Sequence, residues 1–275
     1  MPVTLHTHGA IWSFPAGMTS ALLILVLIYA RGWLRVRRAA PTAIPARRVG
    51  VFILALSALW IAVASPLGTI GHELVSIHMV QHVLLGAVAP PLLWLSAPVL
   101  PLSPGLPLWL ARRTCGPTMH RTMKLFGRLV THPFTAWLAA TLTIIGWHVP
   151  AAFALGQRSM LWHGVQNGSF FVTGLLFWWP VVQPWPAAAR LTPPAVPLYL
   201  FAATLPCDAL SAFLVFCDRV VYPHHLAGAR HFNISELADQ QMAGAFMWVS
   251  VMFIYLVPAL ILTVQALSPP RQPPV

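Results

Sequence analysis

The sequence predicts an all-α, polytopic membrane helix bundle of seven transmembrane helices, with the N-terminus outside and the C-terminus cytoplasmic. Three observations carry this. Only 8% of the 275 residues are charged, where a soluble domain carries about 25%. Hydrophobic residues make up 58% of the chain, and the mean hydropathy is +0.74. The apolar residues fall into seven stretches separated by short Pro-rich, basic or His-bearing loops. At about 20 residues per crossing, a chain of this length holds roughly six to eight spans. No separate soluble domain fits beside them, so 1–275 reads as a single integral membrane domain.

The elements follow in order, with bounds good to a few residues. Residues 1–17 carry His6 and His8 and lack the basic start of a cleavable signal peptide. Span 1 covers about 18–33, and Arg31, Arg35, Arg37, Arg38, Arg47 and Arg48 follow. Span 2 covers about 49–64 and ends at Ser65-Pro66. Span 3, about 74–99, contains the stretch HMVQH, His78 to His82. The four-residue spacing places both imidazoles on one helix face, one turn apart. Pro90-Pro91 kinks or ends the regular ladder about two turns later. A basic loop with Arg112, Arg113, Arg121, Lys124 and Arg128 leads to span 4, about 134–147, which closes in WHVP with His148. Span 5, about 161–182, opens with His163 and closes in FWWPVV. Arg190 precedes span 6, about 196–216, which contains Cys207 and Asp208. The loop 217–235 carries His224, His225 and His231, and span 7 covers about 236–262.

The formal charge of +11 does not indicate nucleic acid, because the basic residues cluster in loops between apolar segments. Thirteen of the sixteen Lys and Arg fall on one side of a seven-span chain and three on the other. The positive-inside rule then sets the orientation. The histidines sort by this topology without having been used to set it. Ten of the twelve fall outside or in the outer half of a span; His120 and His132 fall inside. All five acidic residues, with Cys207, Cys217 and Met242, join the ten. Three cysteines, Cys115, Cys207 and Cys217, form neither a disulfide framework nor a CxxC motif.

Polar side chains inside a bilayer cost free energy and so mark function. Imidazoles, thiols and a thioether at one depth suit copper, especially Cu(I), with carboxylates orienting the imidazole N–H groups. The candidate ligands are His78 and His82 first, then His148 and His163. Cys207, Asp208, Asp239 and Met242 are further ligands or supporting groups. Each has a plainer reading. Membrane histidines also bond between helices. Trp147-His148, Trp162-His163 and Trp178-Trp179 fit an interfacial aromatic belt. Asp239, Gln240 and Gln241 fit a cap on span 7, and His224-His225 fits a solvated loop pair.

Several segments together resemble the multi-span CtaG-type family of cytochrome c oxidase assembly proteins. They are HMVQHVLLGAVAPPLLWLSAP (78–98), WHVPAAF (147–153), LWH…GLLFWWPVV (161–182), YLFAATLP (199–206), and VYP followed by LADQQMAGAFMW (237–248). The resemblance implies a bacterial inner-membrane protein that handles Cu(I) on the outer face while the copper centres of a haem-copper oxidase are built. It carries over to His78, His82, His148, His163, Asp239 and Gln240. It implies an oxidase subunit as client, with membrane lipid and a periplasmic copper donor as further partners, and no enzymatic activity. PCDALSAFLVFCDR (206–219), with Cys207, Asp208 and Cys217, reads as a subgroup feature.

Three other readings compete. A membrane haem or quinone redox protein would use His78 with His148 or His163 as axial ligands, but the paired histidines of a two-haem path across the membrane are missing. A metalloenzyme would need denser histidine boxes or HExxH, and HELVSIH spaces its next His wrongly. A transporter would need matching polar groups in the inner half, and would commonly show an inverted repeat, which is not visible.

Overall fold

The structure, a computed structural model, describes residues 15–105, 132–182, 191–192, 194–223, 229 and 232–268. His6, His8, Cys115, His120, His224, His225 and His231 lie outside these residues, as do Arg190 and the basic loop Arg112 to Arg128. Among the described residues every regular element is a helix.

The chain opens with α1 (Ala16–Ala39) and α2 (Arg47–Ala64), followed by the short α3 (Pro66–Ile70). Ser65 starts α3 by accepting the Leu67 N–H at 3.2 Å, with Pro66 at the first helical position. The HMVQH stretch lies in α4 (Val75–Val83), which runs through a π-helical turn (Leu84–Val88) into α5 (Ala89–Leu95). Pro90 and Pro91 have no N–H to give, so the carbonyls of Gly86 and Ala87 lose their helical partners. The π turn is where the ladder adjusts: the Ala89 N–H reaches back to the Leu84 carbonyl. The prolines therefore do not end the span, and Val75–Leu95 stays helical over 21 residues. The chain turns at Ala97, with φ 48°, into α6 (Val99–Gly105), a separate helix where the sequence suggests the end of span 3 and a Pro-rich loop.

The WHVP motif makes the sharpest corner. Pro150 disfavours helical backbone at Val149, which sits at φ −62°, ψ 128°. The ladder of α7 (Pro133–His148) stops there, and α8 (Pro150–Arg158) restarts at 80° to it. Helices α9 (Met160–Val182), α10 (Ala195–Phe216) and α11 (Glu236–Leu267) complete the bundle. Ser235 caps α11 by accepting the Ala238 N–H at 3.2 Å.

Among the described residues, five helical stretches are long and apolar enough to cross a membrane: α1, α2, Val75–Leu95, α10 and Glu236–Gln265. The bent α7–α8 pair makes a sixth if taken as one span. These helices describe a multi-pass membrane protein. Leu23, Leu27, Leu205 and Leu260 are all more than half exposed, which fits lipid contact.

Two apolar cores flank the HMVQH span. One gathers Val75, Met79, Phe153, Phe177, Tyr199, Leu200, Leu214 and Met247. The other gathers Tyr29, Phe52, Leu56, Leu59, Leu85, Ala89 and Phe170. The span and α9 contribute to both, so they form the centre. They meet at two glycines. A Cβ on Gly174 would lie 2.5 Å from the Gly86 carbonyl oxygen and 2.9 Å from Pro90 Cγ. The first obstacle is backbone and cannot swing aside. Gly174→Ala should cost about 1–3 kcal/mol through overpacking. A thermal unfolding midpoint for the detergent-purified variant equal to that of wild type would refute this.

Candidate functional site

The site is built from α4 outward. Its first turn has no capping side chain of its own, because Leu74 stands at the N-cap. The cap comes from α11. Asp239 accepts the Val75 N–H at 2.6 Å and the Ser76 N–H at 3.1 Å, and the Ser76 hydroxyl donates to it at 2.5 Å. An acidic group at a helix N-terminus also complements the positive end of the helix dipole. Asp239 thus caps span 3, where the sequence suggested a cap on span 7. Gln240, next to it, accepts the Val221 N–H at 2.7 Å and donates to the Arg219 carbonyl at 3.1 Å, tying α11 to the chain after α10. On the other face of α4, Gln81 donates to the Ala62 carbonyl at 2.6 Å. The helix is therefore held on both sides, which fixes where its histidines point.

Five imidazoles follow one another from the surface inward. Exposed His72 donates from Nδ1 to Gln157 Oε1 at 2.7 Å. Its ring centroid lies 4.5 Å from that of His163. His163 lies 5.6 Å from His78, His78 lies 4.3 Å from His82, and His82 lies 6.1 Å from His148. The rings meet edge to face throughout. His78 is 0% exposed and His82 6%. Neither ring nitrogen of His82 has a hydrogen-bond partner among the described residues, and its ring stacks on Phe170 at 3.9 Å.

His148 ends the row. Its Nδ1 donates to the Ile144 carbonyl at 2.6 Å, and its Nε2 faces Met79 Sδ at 3.2 Å. The Tyr222 hydroxyl donates to the His148 carbonyl at 3.0 Å. Burial pushes the Tyr222 phenol above its ordinary range, so it stays a donor. Beside His82 and His148 opens a cavity of about 60 Å³, lined by Met79, Cys207, Met247 and Tyr255 among others. That is space for a few water-sized groups.

The proposed ligands therefore separate. His78, His82, His148 and His163 share the row, with His72 as its outer member. Cys207 lines the cavity from α10. Asp208 is half-buried, and its Oδ1 has no hydrogen-bond partner among the described residues. Met242 is 51% exposed and lines neither the row nor the cavity. Among the described residues, no group of three or more His, Cys, Asp or Glu side chains converges on one point as a metal cage does. The arrangement is a chain of pairs. Met79 was the residue the sequence did not single out as a ligand. It follows His78 directly, about 100° around the helix from it, and only the folded chain brings the His148 nitrogen, at the end of α7, to its sulfur.

The family described as cytochrome c oxidase caa3 assembly factor matches residues 27–268. Uncharacterized proteins of Mycobacterium bovis and Mycobacterium tuberculosis are each 26% identical over 252 residues, and one of Mycobacterium leprae is 25% identical over 260. Each alignment covers 90% of this chain and 38% of the relative, so the chain spans well under half the length of these proteins. No solved structure matches the chain.

Proposed function

The chain belongs to the cytochrome c oxidase caa3 assembly factor family, and on that premise we propose that it is a copper-binding membrane factor that helps to build the copper centre of a haem-copper oxidase. The observation that carries the reading is the row of five imidazoles from exposed His72 to buried His148. Imidazole is a good ligand for copper. A row of pairs holds an ion at low coordination and lets it leave by ligand exchange, which delivery requires. The work is binding and release, without catalysis. An oxidase subunit is the client, and a periplasmic copper donor loads the row at the His72 end.

This reading places the protein in the bacterial inner membrane with seven spans, the N-terminus outside and the C-terminus cytoplasmic. The seventh crossing is α9, 23 residues long. It carries His163, Gln166 and Asn167 in its first half, which lowers its apolarity. His163 and Gln166 are buried inside the bundle, so lipid does not meet them. A central helix can cross the bilayer with such residues facing protein.

The test is anaerobic Cu(I) loading of detergent-purified protein, wild type beside His78→Ala/His82→Ala, followed by elemental analysis and an absorption spectrum. Wild type should retain near-stoichiometric copper, the variant should lose it, and neither should show a Soret band. Copper-free wild type, or a Soret band, overturns the reading.

A further inference from the structure

We propose that Met79 Sδ and His148 Nε2, with His82 across the adjoining cavity, form a binding site for a soft monovalent cation, Cu(I) in the cell. The inference deepens the copper reading above, on which it rests, by naming a sulfur ligand and a charge class.

The argument starts from protons. A carbonyl oxygen only accepts hydrogen bonds, so the 2.6 Å contact with Ile144 fixes the proton of neutral His148 on Nδ1. Nε2 is then a bare lone pair. It faces, at 3.2 Å, a thioether sulfur that has no hydrogen to donate. Two donors thus present lone pairs to each other in a buried site, which gains nothing as a hydrogen bond. It is the arrangement a metal ion joins. The Nδ1–H···O=C bond is also the outer contact that orients a ligating histidine. Neither donor has a proton to lose, so binding displaces none from them.

Independent support comes from His82. It is 94% buried by its 6% exposure, lines the same cavity as Met79 and His148, and has neither nitrogen hydrogen-bonded among the described residues. Cys207 and Met247 add sulfur to the lining. Among the described residues, no carboxylate lines the cavity. A divalent ion there would keep its full charge in apolar surroundings, and desolvating it would cost far more than desolvating a monovalent ion. Thioether and imidazole together favour Cu(I), or Ag(I) as its analogue, over Zn(II).

The test uses the full chain in detergent, loaded anaerobically with Cu(I), and separately with Ag(I) and Zn(II). Copper-edge X-ray absorption of wild type should require sulfur as well as nitrogen in the first coordination shell. Met79→Leu conserves volume and so should keep the fold. It should lose the sulfur scatterer and bind Cu(I) and Ag(I) about 10- to 100-fold more weakly in competition with a chelator, by analogy with losses at supporting ligands. Met242→Leu should bind as wild type, and Zn(II) should wash out. A nitrogen-only shell in copper-loaded wild type overturns the site while leaving the copper reading intact. So does Met79→Leu binding like wild type. Wild type that takes up no copper overturns both.

Discussion

Cells whose only copy of this protein carries His78→Ala/His82→Ala are expected to assemble oxidase depleted of copper. The two rings occupy the middle of the row, with centroids 4.3 Å apart. Without them His163 and His72 are cut off from His148 and Met79, so an ion captured at the surface has no neighbouring ligand to pass to. Loss of a supporting contact alone lowers metal affinity about 10- to 100-fold, and removing two ligands should exceed that. The measurement is the copper-to-haem ratio of oxidase purified from variant and wild-type cells, with the variant's membrane abundance checked by immunoblot. An unchanged ratio at equal abundance sinks the prediction. Loss of the protein itself would show a folding defect, and single variants at His78 and His82 would then be compared for graded depletion.

Among the described residues, five of the seven expected spans are helices long and apolar enough to cross a membrane, and these were legible because hydropathy reports lipid contact directly. The pairing of His78 with His82 came from their four-residue spacing on one helix. What stayed hidden was whatever depends on which faces meet. Pro150 read as the end of a span, yet a proline both stops one helix and suits the first turn of the next. The 80° restart at α8 therefore lay outside a span count. Met242 and Met79 look alike in sequence, but one is exposed and the other touches His148. The polar residues at the start of α9 lower its apolarity, so His163, a candidate ligand in the sequence, also weakens the signal of the helix as a crossing.

Asp239→Ala should be the most damaging single change to the fold near the site. The carboxylate takes three hydrogen bonds, from Val75 N–H, Ser76 N–H and Ser76 Oγ, and is 1% exposed. Truncation removes all three and leaves two backbone donors at the start of α4 without an acceptor. Bonds to charged groups contribute about 1.5–3 kcal/mol each, and orphaned buried donors cost a comparable amount. With partial relaxation, a loss of roughly 3–5 kcal/mol follows, in the range seen for broken buried networks. Asp239→Asn keeps one acceptor oxygen and should lose about half as much. Thermal unfolding in detergent should rank wild type above Asn above Ala. Copper affinity should follow the same order even at temperatures where all three are folded, because the cap sets the axial position of α4 and with it His78, Met79 and His82. If Asp239 instead ligated the metal directly, Asn and Ala would lower copper affinity together while Asn left the unfolding midpoint in place. The ratio of the two losses therefore separates a residue that positions the helix from one that holds the ion.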